Sequence, residues 1–304
     1  MTVAVLHDPR LGELPYGPAD GPADGLAYAD WLADRAEDLV LVTGTGAPAA
    51  TARTAADARM RVHRVDRYAL TAAVETTVLD LAAGTPLTAL VALHPADQVR
   101  AGALRDRLGL PGLTRDQALL LTDPLRARDL LAAAGVPVTR RAAARRIIDL
   151  YLAAHDWGYP LVVRDRRAPG SPVVAELADE AALRAFADGG ISVGAVGSAA
   201  GLTVEPRTTG ERRRTAGDQA ADTERTAGDP AADAALAVLP AVPGHPVLVE
   251  TVRVGHGTWA VDLARYAPET APLRELVRAQ AQSTPTTTPT TTGLALAGQR
   301  GAMR

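Results

Sequence analysis

Short apolar runs separated by helical stripes recur along the first third of the chain. Val3–Leu6, Leu39–Thr43 and Thr88–Leu93 are continuous apolar runs of strand length, and Met60–Asp66 alternates. Between them, Leu26–Arg35 carries Leu26, Ala29, Leu32 and Ala33 on one stripe, and Leu70–Ala83 also reads as a helix. Buried strands joined by helices predict a parallel sheet, because the crossovers place helices on its faces.

The middle of the chain is punctuated by caps. Asp97 precedes a stripe of Val99, Ala103, Leu104 and Leu108 that stops at Gly109. Asp123-Pro124 opens a helix whose Leu125, Leu130 and Leu131 point inward and which ends at Gly135. Aspartate accepts the orphan amide hydrogens of a first turn, and proline there lacks only a hydrogen that would go unused. Ile147–Trp157 reads as a helix, Pro160–Arg164 and Val173–Leu177 as a hairpin, Glu180–Ala187 as a helix, and Val247–Val252 with Thr258–Leu263 as another strand pair.

Two stretches break the pattern. From Arg207 to Ala235 the chain is polar and small, and TAGDQAAD at Thr215–Asp222 recurs as TAGDPAAD at Thr226–Asp233. With almost no apolar anchor it cannot offset its ordering entropy, so it is expected to be a disordered insertion at about 207–235. Ser283–Thr292 (STPTTTPTTT) is low-complexity, and the tail from 266 to 304 is expected to be largely disordered.

Composition narrows the chemistry. All 32 basic residues of the 304 are arginine. Arginine stays protonated, so a Schiff-base or pKa-tuned lysine is excluded. The formal net charge of −3 gives no basic footprint for nucleic acid. The clusters Arg140, Arg141, Arg145, Arg146 and Arg212–Arg214 read as solvated charge runs. Without cysteine there are no disulfides or thiolate metal sites. The six histidines lack paired metal spacing and read as lone surface or capping residues. No signal peptide or apolar stretch of membrane-spanning length is evident, so a cytoplasmic protein is expected.

Four segments then fall in an order that carries a resemblance: AGALRDRLGLPG from Ala101, DPLRARDLLAAAGVPV from Asp123, GYPLVVRDRRAPGSPVV from Gly158, and VLVETVRVGHGTWAVD from Val247. Together they resemble the ATP-grasp superfamily of carboxylate–amine ligases. The resemblance implies an α/β fold with a Rossmann-like pre-ATP-grasp domain over residues 1–112 and a partial ATP-grasp region over 113–265. It implies ATP and Mg²⁺ as cofactors, small-molecule carboxylate and amine substrates, and an acyl-phosphate intermediate. A homodimer is compatible with it.

By the resemblance, Arg128 and Arg164 face phosphates, with Arg164 standing where the family usually has lysine. Ser171 lies on the phosphate-covering loop Ala168–Pro172, and Glu250 with Val252 lies on the adenosine side. Asp262 is a candidate acid near the metal. Departures accompany these matches. Pro124 replaces the first phosphate-reaching lysine, Gly257 falls where a ribose-binding glutamate is expected, and the chain has no asparagine to complete a metal site. An inactive or truncated homologue acting as a binding module is therefore an alternative to a ligase. A second alternative is dinucleotide binding. Gly44–Ala49 (GTGAPA) fits Gly-x-Gly-x-x-Ala after a strand, with Asp66 downstream.

Overall fold

A computed structural model describes residues 1–13, 27–34, 37–45, 60–189, 201–217, 229–255 and 257–282. Strands β1 (Thr2–His7), β2 (Asp38–Gly44), β3 (Met60–Val65) and β4 (Leu87–Ala92) form a parallel sheet in the order β3-β2-β1-β4. Because side chains alternate along a strand, each apolar run supplies both faces. Val3, Val5, Leu39, Leu41 and Val91 face α1 (Ala27–Trp31) and α9 (Leu273–Gln282). Ala4, Leu6, Val40, Val42 and Leu90 face α2 (Ala73–Gly84) and α3 (Gln98–Leu108).

The expected caps are met in part. Gly109 ends α3 in the left-handed region, at φ 65°. Asp97 makes no capping bond to α3; it is buried and accepts a hydrogen bond from the Tyr68 hydroxyl at 3.1 Å. Helix α4 (Arg115–Thr122), which the apolar pattern did not announce, starts from a reciprocal cap between Thr114 and Gln117. Asp123 then caps α5 (Pro124–Ala133), accepting from the Leu125 amide at 3.1 Å.

Two antiparallel sheets follow. The first contains β5 (Ala142–Ala144), β6 (Leu161–Asp165), β7 (Val173–Leu177) and β8 (Leu202–Pro206), ordered β5-β8-β6-β7. Helices α6 (Ile147–Trp157) and α7 (Glu180–Asp188) share its core, with Leu150, Ala153 and Leu183 beside Leu161, Val163 and Val204. The second contains β9 (Arg212–Gly217), β10 (Val247–Val254) and β11 (Thr258–Tyr266), ordered β11-β10-β9. It packs on α4, α5 and α8 (Pro230–Val238). The segment between α5 and β5 runs along β11: the Thr139 amide donates to the Val261 carbonyl at 2.9 Å, and the Val261 amide to the Pro137 carbonyl at 2.8 Å.

Two expectations are corrected. Within the expected insertion, Arg212–Gly217 is strand β9 and Pro230–Val238 is helix α8; residues 218–228 lie outside the described residues. Helix α8 buries Ala231, Ala232 and Ala235, small anchors that suffice because the helix sits close to the sheet, and Asp229 caps it before Pro230. Strand β9 has no apolar alternation and is held by its ladder to β10. Within the expected tail, α9 buries Leu273, Leu276, Val277, Gln280 and Ala281 on one stripe, while residues 283–304 lie outside the described residues.

Candidate functional site

The two antiparallel sheets meet through charge. Glu205 on β8 accepts from Arg141 Nε at 2.6 Å and pairs again with Arg141 Nη2. It also accepts from Arg164 Nε on β6 at 2.6 Å. Arg141 lies just before β5 and reaches across to Asp262 of β11, 3.5 Å away. Asp262 accepts from Thr139 Oγ1 at 3.1 Å and from Arg212 Nη1 on β9 at 2.5 Å. Glu250 on β10 pairs with Arg214 Nε of β9 at 3.1 Å. The side chains of Arg141, Glu205 and Asp262 are all buried.

This network gathers the sequence candidates. Arg164 Nη1 donates to the Ser171 carbonyl at 3.1 Å. Arg128 Nε donates to the Thr139 carbonyl at 3.0 Å, so Arg128 joins Asp262 through Thr139. Glu250 and the buried Val252 stand opposite Arg214 and Arg212 in the β9–β10 register, which places all four on one sheet face. The cationic heads are not bare, however. Arg128 also pairs with Asp129 at 3.0 Å, and Arg164 is held by Glu205.

Glu205, Arg141, Arg212 and Thr139 escaped the sequence reading. Glu205 had a signal, since it is the lone charge in the short apolar run LTVEP at Leu202–Pro206. Arg141 had none, because it looks like its neighbours in a basic cluster. Its burial corrects the solvated reading of that cluster. The solvated reading describes Arg214 better, whose side chain is mostly exposed, while Arg213 stacks 4.2 Å over the Trp259 ring.

Next to the network lies a cavity of about 430 Å³. Val99, Leu121, Pro124 and Leu263 give it apolar walls, and the turn Arg166–Ser171 closes one side. That turn is built by Asp165, whose Oδ1 accepts from the amides of Arg167 at 2.8 Å and Ala168 at 3.2 Å. Arg166 makes a two-pronged bond to Asp123, at 2.8 and 2.5 Å, tying the turn to the start of α5. Ser171 is held at φ 49°, and its buried Oγ has no hydrogen-bond partner. A non-glycine residue in the left-handed region with an unsatisfied hydroxyl costs stability, which is common where a ligand is expected.

A second titratable cluster sits at the C-terminal ends of β1 and β4. His94 Nδ1 lies 3.5 Å from Asp8 Oδ2, and Asp97 is nearby beneath Tyr68. His7, His94 and His245 are buried, which corrects the expected surface placement; His94 does cap the following turn, accepting from the Ala96 amide at 3.2 Å. Burial, reinforced by the Asp8 carboxylate, pushes the Asp97 carboxyl up to about 7. Burial pushes the His94 imidazole down to about 4.

The signs are opposite. Between its ordinary 3.8 and about 7, folded Asp97 holds a proton that the unfolded chain has released, so its stabilisation is full below 3.8 and is lost as pH rises to about 7. Between about 4 and 6.5 the unfolded chain holds the extra proton on His94, so that contribution grows with pH. We expect Asp97→Asn to make unfolding free energy climb more steeply from pH 4 to 6.5 than in the parent, measured by urea denaturation. Parallel pH profiles for the two proteins would refute the assignment.

Of the dinucleotide candidate, Gly44 and Thr45 end β2 and the Thr45 amide bonds the Val65 carbonyl at 3.3 Å; Gly46–Ala49 lie outside the described residues.

No family model matches the chain, and no curated protein matches its sequence. Solved structures do match its shape. An L-amino acid ligase from Bacillus licheniformis superposes with a TM-score of 0.60 at 12% identity, over 93% of this chain and 74% of that one. The biotin carboxylase domain of a Hydrogenobacter thermophilus 2-oxoglutarate carboxylase, solved with MgADP, ADP and bicarbonate, gives 0.61 at 13% identity over 93% and 70%. A RimK domain ATP-grasp protein from Sphaerobacter thermophilus gives 0.53 at 18% identity over 91% and 100%. At these identities the likeness concerns the fold, and the fold is that of the ATP-grasp proteins. No described helix is long and apolar enough to cross a membrane.

Proposed function

We propose that the chain binds ATP between its two antiparallel sheets, with the phosphates toward Arg128, Arg164 and the Ser171 turn and the adenosine toward Glu250 and Val252. The observation that supports this reading is the convergence of Arg141, Arg164 and Arg212 between the sheets, with Ser171 Oγ unpartnered beside them. Guanidinium forks suit phosphate oxygens, and Arg141 Nη1, buried without a hydrogen-bond partner, offers a donor to an incoming phosphate while Glu205 and Asp262 keep their pairs. The neighbouring cavity has room for a second small molecule. In the ligase version of this reading, a carboxylate and an amine would be joined there through an acyl-phosphate.

A second reading, binding without turnover, is favoured by the same geometry. Each of these arginines is already paired with a carboxylate of the protein, so bare cations are not waiting for a transferring phosphoryl group. Cytoplasmic residence and a homodimer are part of the proposal.

Titrating the full chain with ATP and with NAD, following tryptophan fluorescence and melting temperature, separates the readings. ATP at 100 times its dissociation constant should stabilise the fold by about 2.7 kcal/mol. Arg164→Ala should weaken ATP binding about tenfold to a hundredfold, the worth of one charge-assisted hydrogen bond. No response to ATP sinks the proposal, and a response to NAD alone moves the site to Gly44–Ala49. Release of ADP with a carboxylate and an amine present distinguishes ligase from binding module.

A further inference from the structure

The resemblance implies Mg²⁺, which takes hard oxygen ligands in a near-octahedral shell. The carboxylates between the sheets do not fit that requirement. Asp262 has both oxygens engaged. Oδ1 faces Thr139 Oγ1 at 3.1 Å and Arg141 Nη2 at 3.5 Å, and Oδ2 faces Arg212 Nη1 at 2.5 Å. Glu250 is paired with Arg214 at 3.1 Å, and Glu205 with both Arg141 and Arg164. Beyond Asp262, Glu269 is taken by Arg265 at 2.5 Å. Among the described residues, no group of three or more histidine, cysteine or acidic side chains could hold a metal ion.

We infer that Asp262 is not a metal ligand and that the chain takes its nucleotide as the free anion, with Arg141, Arg212 and Arg214 in the place of a divalent cation. Four arginines, Arg141, Arg164, Arg212 and Arg214, oppose the three acids Glu205, Glu250 and Asp262. The constellation already carries one net positive charge before any ligand arrives. A divalent cation would add two more, beside guanidinium groups that cannot lose a proton to make way. A phosphate chain does the reverse: it supplies the negative charge that the set lacks. The inference rests on the nucleotide reading above for the identity of the anion, and on the arginine pairing of Asp262 for the absence of the metal.

Calorimetric titration of the full chain with ADP, once in excess EDTA and once in excess Mg²⁺, tests the anion. Affinities within about threefold of each other, or tighter in EDTA, are expected. Binding about tenfold or more tighter in Mg²⁺ overturns the inference. Titrating the nucleotide-free protein with Mn²⁺, followed by electron paramagnetic resonance, tests Asp262 directly. All Mn²⁺ should stay free. Mn²⁺ held by the parent protein and released in a folded Asp262→Asn variant overturns it. If ADP binds in neither buffer, the nucleotide reading fails and the free-anion half of the inference falls with it, while the Mn²⁺ titration still decides the statement about Asp262.

Discussion

Glu205→Gln should destabilise the protein by about 3–5 kcal/mol, the usual effect of removing one partner from a buried ion pair. Glutamine keeps the shape but drops the charge. Arg141 would then be left almost fully buried with only Asp262, 3.5 Å away and shared with Arg212. The single carbonyl oxygen of glutamine can accept from Arg164 or from Arg141 but not from both, so one of the two 2.6 Å bonds is lost as well, while the partly exposed Arg164 keeps the Ser171 carbonyl. Urea denaturation followed by tryptophan fluorescence should show the midpoint moving down with the slope unchanged. The paired substitution Arg141→Met with Glu205→Leu removes both buried charges and should recover most of the loss, because well-packed apolar side chains commonly match a buried ion pair. A single-variant loss under about 1 kcal/mol would mean that the pair behaves as a surface one.

Removing residues 273–304 should abolish cooperative folding. Helix α9 shares with α1 the cover of one face of the parallel sheet, and its Leu273, Leu276 and Val277 pack with Leu11, Tyr28, Leu32 and Leu93. Each such side chain contributes about 1.5–3 kcal/mol when fully buried, and the loss also uncovers its partners. Gln280 adds a polar part: it accepts from the Ala92 amide at 2.9 Å and donates to the Gly244 carbonyl at 2.8 Å. The milder Leu273→Ala should leave the fold intact at a loss of about 2–5 kcal/mol. Circular dichroism melting and gel filtration read both variants. A truncated chain with a sharp parent-like melt would show that α9 is dispensable.

Where the sequence spoke clearly, large apolar side chains or cap chemistry did the speaking. The runs at Val3–Leu6, Leu39–Thr43 and Thr88–Leu93 became central parallel strands, and Asp123-Pro124 became the start of α5. Helix α8 was hidden because alanines anchor it, and β9 because a strand of arginines draws its stability from a neighbour rather than from its own pattern. Asp229-Pro230 repeats the Asp123-Pro124 signal and could have revealed α8. For the candidate site, Arg164, Ser171 and Asp262 are candidates by resemblance alone. Their partners Glu205, Arg141 and Arg212 are not among them, since pairing between distant residues leaves no local periodicity. The consequence is chemical: the resemblance implies phosphate-facing cations at Arg128 and Arg164, and the fold has both already engaged.

The placement of α9 also sets an order of events during synthesis. The parallel sheet is complete in sequence by Ala92, yet the helix that seals one of its faces comes 181 residues later, at Leu273. A nascent chain must carry that face, covered only in part by α1, while both antiparallel sheets are being translated. Exposed apolar surface of this kind invites misassociation, so the ribosome-bound protein should depend on chaperone protection until its last described helix emerges.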